Sequence, residues 1–255
     1  MIKVVIIGSG NLATHLIDAF NKSHDSGSEI EVVQAYARNT ETLNSQLDFD
    51  KTTTDLDTLA EADLYIIAVS DDAIEEVSSA LPFKNRLVVH TSGGVSLDSL
   101  SDDNRKGVFY PLQTFSKSRE LDFSTIPIAL ESQNATDFQL LEKVARSISS
   151  NVQGINSEQR KALHVAAVLV NNFTNHLYAV ANEICIANQV PFDMLKPLIM
   201  ETAEKVMTLP PKEAQTGPAK RRDNKTLHSH IDFLQDDIQK EIYKLLTQSI
   251  QHYEL

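Results

Sequence analysis

At 255 residues with a net charge of −12, the chain is long enough for one large or two modest domains, a domain taking roughly 100–200 residues. It is too acidic for a global electrostatic grip on nucleic acid or an anionic membrane. A hydrophobic fraction of 42% and a charged fraction of 23% exclude long disorder. The single cysteine, Cys185, excludes an internal disulfide and a thiolate metal cluster, and fits a reducing, cytoplasmic setting.

The first half alternates strand and helix. Residues 2–7 are a short β-branched run, the pattern of a strand buried on both faces. Gly8 to Asn11 breaks it, and Leu12, Leu16, Ile17 and Phe20 then recur at helical spacing. The pattern next predicts a strand over 30–37, a helix from about Thr40, a short strand near 51–54, a buried strand over 64–69 and a helix over about 72–80. Strands over 87–90, 107–110 and 126–131 follow, then a helix over 135–149. Strands separated by helices of this length form a parallel, doubly wound α/β sheet. Beyond about Asn156 no strand is indicated and helical patterns dominate. The predicted division is therefore a sheet domain, 1–155, and an all-helical domain, 156–255, with Gly154 and an Asn156-Ser157 helix cap at the boundary. Val4 to Ile7 is too short for a signal-peptide core. The uncharged stretch 162–182 carries four Asn and two His, too polar for a membrane span.

The run Gly8-Ser9-Gly10-Asn11-Leu12-Ala13 has the G-x-G-x-x-A form of the dinucleotide fingerprint. Gly8 permits the tight turn, Gly10 lets backbone approach a pyrophosphate, and Ala13 keeps the helix close to the sheet. The helix N-terminus offers N–H groups and a positive dipole end to the phosphates. The alternative is a plain strand–helix turn. At the end of the second strand an acidic residue would hold ribose hydroxyls, but the chain reads Arg38-Asn39-Thr40. A guanidinium matches a 2′-phosphate, with Asn39 and Thr40 as added donors, which selects NADP over NAD; the alternative is a solvated arginine. Two further strand ends, Val69-Ser70 and Ser92-Gly93, carry small residues over which a cofactor can lie, although Gly93-Gly94 also suits a simple turn. The segment 110–115 follows the next strand and is placed to close the cleft.

The helix from Glu158 to about Gln189 has an apolar face with Leu163, Ala166, Val170, Phe173, Leu177 and Ile184. Lys161, His164 and Asn171 fall on an opposite stripe that is polar but mostly uncharged. Such a stripe fits a cofactor cleft, a subunit interface or a solvated face. In the first case His164 is a general acid or base, Lys161 a proton donor and Asn171 a substrate-orienting group. Lys220, Arg221 and Arg222 are either an anion contact or a solvated loop. His228 and His230, two residues apart, do not share a helix face, so no metal site is predicted.

These motifs carry a resemblance. GSGNLA at 8–13, YARNT at 36–40 and DLYIIAVSDDAI at 63–74 resemble the superfamily of pyrroline-5-carboxylate reductases, 6-phosphogluconate dehydrogenases and β-hydroxyacid dehydrogenases. HTSG at 90–93, YPLQTF at 110–115, KALHVAAVLVNN at 161–172 and TGPAKRRD at 216–223 resemble Rossmann-like proteins with a C-terminal domain of unknown function 2520, described as NADP oxidoreductases. The resemblance implies an N-terminal NADP domain and a helical domain that commonly dimerises, and it names no substrate. Two departures stand out. β-Hydroxyacid dehydrogenases place a catalytic Lys four residues before an Asn, whereas Lys161 and Asn171 are ten apart. The last motif usually ends Arg-Gly-Asp, and here Arg222 holds the glycine position.

Two functions remain in view. One is an NADP-dependent oxidoreductase acting on a small carbonyl or imine, anionic or neutral, with catalytic residues His164, Asn171 and Lys161. The other is a non-catalytic NADP-binding sensor or dimeric interaction protein.

Overall fold

The computed structural model describes residues 1–41, 43 and 46–253. An eight-stranded sheet forms from β1 (Ile2–Ile7), β2 (Ile30–Tyr36), β3 (Thr52–Thr53), β4 (Leu64–Ile67), β5 (Leu87–His90), β6 (Arg105–Pro111), β7 (Ile128–Ser132) and β8 (Val152–Gly154). Its order is β3-β2-β1-β4-β5-β6-β7-β8. All neighbours pair in parallel except β6 and β7. This is the doubly wound arrangement, and its order reverses between β1 and β4, where such sheets bind ligands.

Alternation along the strands builds both faces. Val4 and Ile6 of β1 pack with Leu16, Ile17 and Phe20 of α1 (Asn11–Asp25) and with Leu141 and Val144 of α3 (Ala135–Arg146). Val5 and Ile7 pack on the other face with Tyr65 and with Ile74 of α2 (Ile74–Ser79). Each such buried aliphatic side chain contributes about 1.5–3 kcal/mol, so the strand ends that carry the site stand on a fixed platform. The expected helix from about Thr40 falls partly on residues 42, 44 and 45, which lie outside the described residues. Around them Leu43 N–H donates to the Thr40 carbonyl at 2.8 Å in a turn.

Beyond the sheet, α4 (Ser157–Ala167) starts with a capping box: Asn156 Oδ1 accepts from Gln159 N–H at 2.9 Å, and Gln159 Oε1 accepts from Asn156 N–H at 3.0 Å. A π-helical segment, Val168–Phe173, follows. The compact units are residues 1–171 and 172–255. The predicted division near 155 marks the last strand, whereas compactness places α4 with the sheet. The second unit holds α5 (Thr174–Ala187), α6 (Lys196–Thr208), α7 (Pro211–Ala214), α8 (Asn224–Phe233) and α9 (Asp237–Tyr253), with no strand among the described residues. No described helix is long and apolar enough to cross a membrane.

Candidate active site

A cleft of about 750 Å³ opens at the carboxyl ends of β1, β2 and β4. Gly8, Ser9, Gly10, Asn11 and Leu12 line one side, Arg38 and Asn39 a second, and Val69 and Ser70 a third. Nine of the predicted cofactor residues thus share one cavity. Ala73, Glu76, Val77 and Ala80 also line it; the last three lie beyond the 63–74 motif and carried no sequence signal. Gly8 sits at φ +136°, a conformation open to glycine. Gly10 has no heavy atom within 4 Å of where a Cβ would stand. The space over the N-terminus of α1 is therefore clear, and the turn fits a phosphate group lying on the helix N–H groups. The Asn11 side chain is engaged elsewhere: its Nδ2 donates to the Phe115 carbonyl at 2.8 Å, tying the segment after β6 to the start of α1.

Thr40, Ser92 and Gly93 do not line this cleft. Ser92 Oγ accepts from the N–H groups of Gly94 and Val95, both at 3.1 Å, and so holds its own turn. Gly93 belongs to a second cluster. A Cβ there would lie 2.5 Å from His164 Nδ1 and 2.7 Å from Tyr110 Oη. The Tyr110 hydroxyl and His164 Nδ1 are 3.2 Å apart, and their rings meet edge-on at 6.1 Å between centroids. Burial pushes the Tyr110 phenol above its ordinary pKa; the Arg160 charge opposes this and the Asp71 charge adds to it.

Arg160 holds the cluster from below. Its guanidinium is buried, and one nitrogen donates to the carbonyls of Ser92, Gly93 and Val95 at 3.1, 3.2 and 2.7 Å. Another donates to Glu131 Oε2 at 3.2 Å, while Ser157 Oγ donates to Glu131 Oε1 at 2.7 Å. This residue was not predicted. Apart from Ser157 Oγ, three residues before it, its partners lie 29 and 65–68 positions away in sequence, so no sequence pattern marks it.

His90, fully buried at the end of β5, accepts at Nδ1 from Ser92 N–H at 3.2 Å. Burial, and then the Arg160 charge, lower its pKa from 6.5 to about 4. The unfolded chain therefore binds the extra proton first. Stability is full above about pH 6.5 and is lost as pH falls toward about 4, on the order of 3 kcal/mol across the window. His90→Asn retains an acceptor for Ser92 and is expected to flatten this part of the urea-unfolding profile. An unchanged slope would reject the assignment to His90.

Lys161 and Asn171 are exposed. The π-helical segment, with its wider turn, begins at Val168, so Asn171 leaves the face that α-helical spacing gives it with Lys161 and His164. Among the described residues, His164 is the one of the three predicted catalytic residues shown in a hydrogen bond with another polar side chain.

In the second unit, Asp223 caps α8, its Oδ1 accepting from Thr226 N–H at 3.2 Å and its Oδ2 from Thr226 Oγ1 at 2.7 Å. Arg222 adopts φ +53°, a left-handed conformation that explains why the motif usually carries glycine there. Among the described residues no cluster of three or more His, Cys, Asp or Glu is disposed to hold a metal ion.

Residues 3–94 match the family described as NADP oxidoreductase, coenzyme F420-dependent, and residues 126–250 match a domain of unknown function, DUF2520. Among solved structures, a Bacteroides fragilis protein described as a candidate NADP oxidoreductase is 40% identical, with a TM-score of 0.86 and 98% of each chain covered. A Thermotoga maritima protein is 18% identical, with a TM-score of 0.76 and 98% of each chain covered. A pyrroline-5-carboxylate reductase from Coxiella burnetii is 16% identical, with a TM-score of 0.57, covering 99% of this chain and 97% of that one. The last two likenesses are of fold. No curated protein matches the sequence significantly.

Proposed function

The chain belongs to the family in which an NADP oxidoreductase domain is followed by the domain of unknown function DUF2520, and on that premise we propose that it is an NADPH-dependent reductase or dehydrogenase acting on a small carbonyl or imine. The observation that carries this reading is the cleft in which the Gly8–Leu12 turn, Arg38 and Asn39, and Val69 and Ser70 come together. When bound, the nicotinamide dinucleotide supplies or takes up the hydride. The Gly8–Leu12 turn holds its pyrophosphate, and the exposed Arg38 guanidinium, with Asn39 beside it, pairs with the 2′-phosphate. His164, on the Gly93-Gly94 side, supplies the proton, and the exposed Lys161 of α4 is a second proton donor.

A charge-assisted contact is worth about 1.5–3 kcal/mol, so Arg38→Ala is expected to weaken NADPH binding roughly ten- to hundredfold and to leave NADH binding unchanged. Fluorescence titration reads both. Equal affinities for the two cofactors in the wild type would remove the 2′-phosphate reading. Tight NADPH binding with no hydride loss to any carbonyl or imine would favour the sensor.

The same reading includes a homodimer through the helical unit. Leu198, Met200 and Met207 there are 62%, 57% and 82% exposed, apolar side chains that a second copy would cover. Sedimentation equilibrium at micromolar protein tests it, and a monomer would count against it.

A further inference from the structure

Three motifs that lie far apart in sequence meet at one point: Gly93 and Gly94 after β5, Tyr110 at the end of β6 and His164 on α4. The contact fixes which edge of the imidazole faces which neighbour. Nδ1 lies over Gly93 and against the Tyr110 hydroxyl. The opposite edge passes Gly94, where a Cβ would stand 3.6 Å from His164 Cδ2 and 3.9 Å from both His164 Nε2 and Asp71 Oδ2. Asp71 directly follows Ser70, which lines the cofactor cleft. His164 Nε2 and the cleft are thus joined along the carboxyl edge of the sheet.

We propose that Tyr110 is a positioning residue that fixes the tautomer of His164. The Tyr110 hydroxyl donates to Nδ1, so the neutral imidazole carries its proton on Nε2 and presents a hydrogen-bond donor beside Gly94 and Asp71. This rests on the reductase reading and narrows its substrate. A donor at Nε2 recognises a neutral acceptor atom, the oxygen of a ketone or aldehyde or the nitrogen of an unprotonated imine. The Asp71 carboxylate on the same edge repels an anionic group at that point.

Three features support the pairing. The phenol is largely buried, and its raised pKa keeps it protonated through the neutral range. His164 Nδ1 is the hydrogen-bond partner shown for that hydroxyl among the described residues. Arg160 clamps the Ser92, Gly93 and Val95 carbonyls, which fixes the floor on which both rings rest. The proton count closes. As the acceptor atom gains negative charge it takes the Nε2 proton, solvent returns one to Nε2, and the Tyr110 phenol keeps its own, so both side chains end as they began.

The test is nitrogen NMR of histidine-labelled protein at slightly alkaline pH, with His164→Gln identifying the signal. The expected result is an Nε2–H tautomer for His164 in the wild type, with a hydrogen-bonded Nδ1 whose resonance moves in Tyr110→Phe. That variant keeps the ring contact and therefore the fold. If hydride turnover is measurable, Tyr110→Phe is expected to lower kcat roughly tenfold, with KM unchanged, and His164→Gln roughly a hundredfold. An Nδ1–H tautomer, or an identical spectrum in Tyr110→Phe, overturns the inference whatever the turnover. The expected tautomer in a protein that transfers no hydride would instead overturn the reductase reading and leave Tyr110 and His164 as a ligand-binding pair.

Discussion

Arg160→Ala is expected to lower the unfolding free energy by about 3–5 kcal/mol, the usual cost of removing one partner of a buried ion pair. The side chain is 2% exposed and its partner Glu131 14%. Truncation leaves the Glu131 carboxylate with the Ser157 hydroxyl alone and strips the Ser92, Gly93 and Val95 carbonyls of a shared donor. An unmet buried acceptor costs about 1–3 kcal/mol, so the loop and the ion pair both add to the loss. Arg160→Lys should recover only part of it, because an ammonium cannot reach a carboxylate and a row of carbonyls with one planar fork. Removing the carboxylate as well, in Arg160→Met with Glu131→Leu, should relieve the stranded charge and still leave the carbonyls unmet. Urea unfolding orders these variants. A loss below about 1 kcal/mol in Arg160→Ala would show that water replaces the guanidinium and that the clamp is dispensable.

The sheet was legible because it is buried on both faces. Residues 4–7 and 87–89 within β1 and β5 are unbroken apolar runs, and such runs declare themselves. Val152–Gly154 was not predicted, since three residues are too few to show a period. The glycine turn that lines the cleft was legible for a related reason. The turn after β1 needs particular residues at adjacent positions, so its signal is local. The Tyr110 and His164 pair could be named only as two separate motifs, because the contact between them is made by the fold. Arg160 was invisible, since one arginine on an amphipathic helix reads as solvated. The π-helical segment at Val168–Phe173 also lies beyond sequence periodicity: VLVNNF continues an α pattern, and the change of hydrogen-bond step moves Asn171 off the predicted stripe.

Gly8→Ala and Gly10→Ala are expected to fail in different ways, and the contrast separates fold from function. At Gly8 a Cβ would stand 2.8 Å from the Ala68 carbonyl carbon and closer still to its oxygen. Neither side can yield, because Gly8 N–H is bonded to the Tyr36 carbonyl at 2.8 Å and Ala68 N–H to the Ile7 carbonyl at 2.8 Å. An alanine must part β1 from β4 and also occupy φ +136°. Overpacking and backbone strain together cost on the order of 4 kcal/mol, so this variant should lose much of its thermal stability before any ligand is added. At Gly10 the backbone is ordinary, φ −71°, and the Cβ position is empty. Alanine there costs about 1 kcal/mol or less as a poorer helix cap, and Tm should barely move. The same methyl group projects into the space over the α1 N-terminus where the proposed cofactor's pyrophosphate would lie, so on that reading NADPH affinity should fall at least tenfold. A Gly10→Ala protein that binds NADPH as the wild type does would mean that the turn holds no pyrophosphate, and the cofactor reading of the cleft would fall with it.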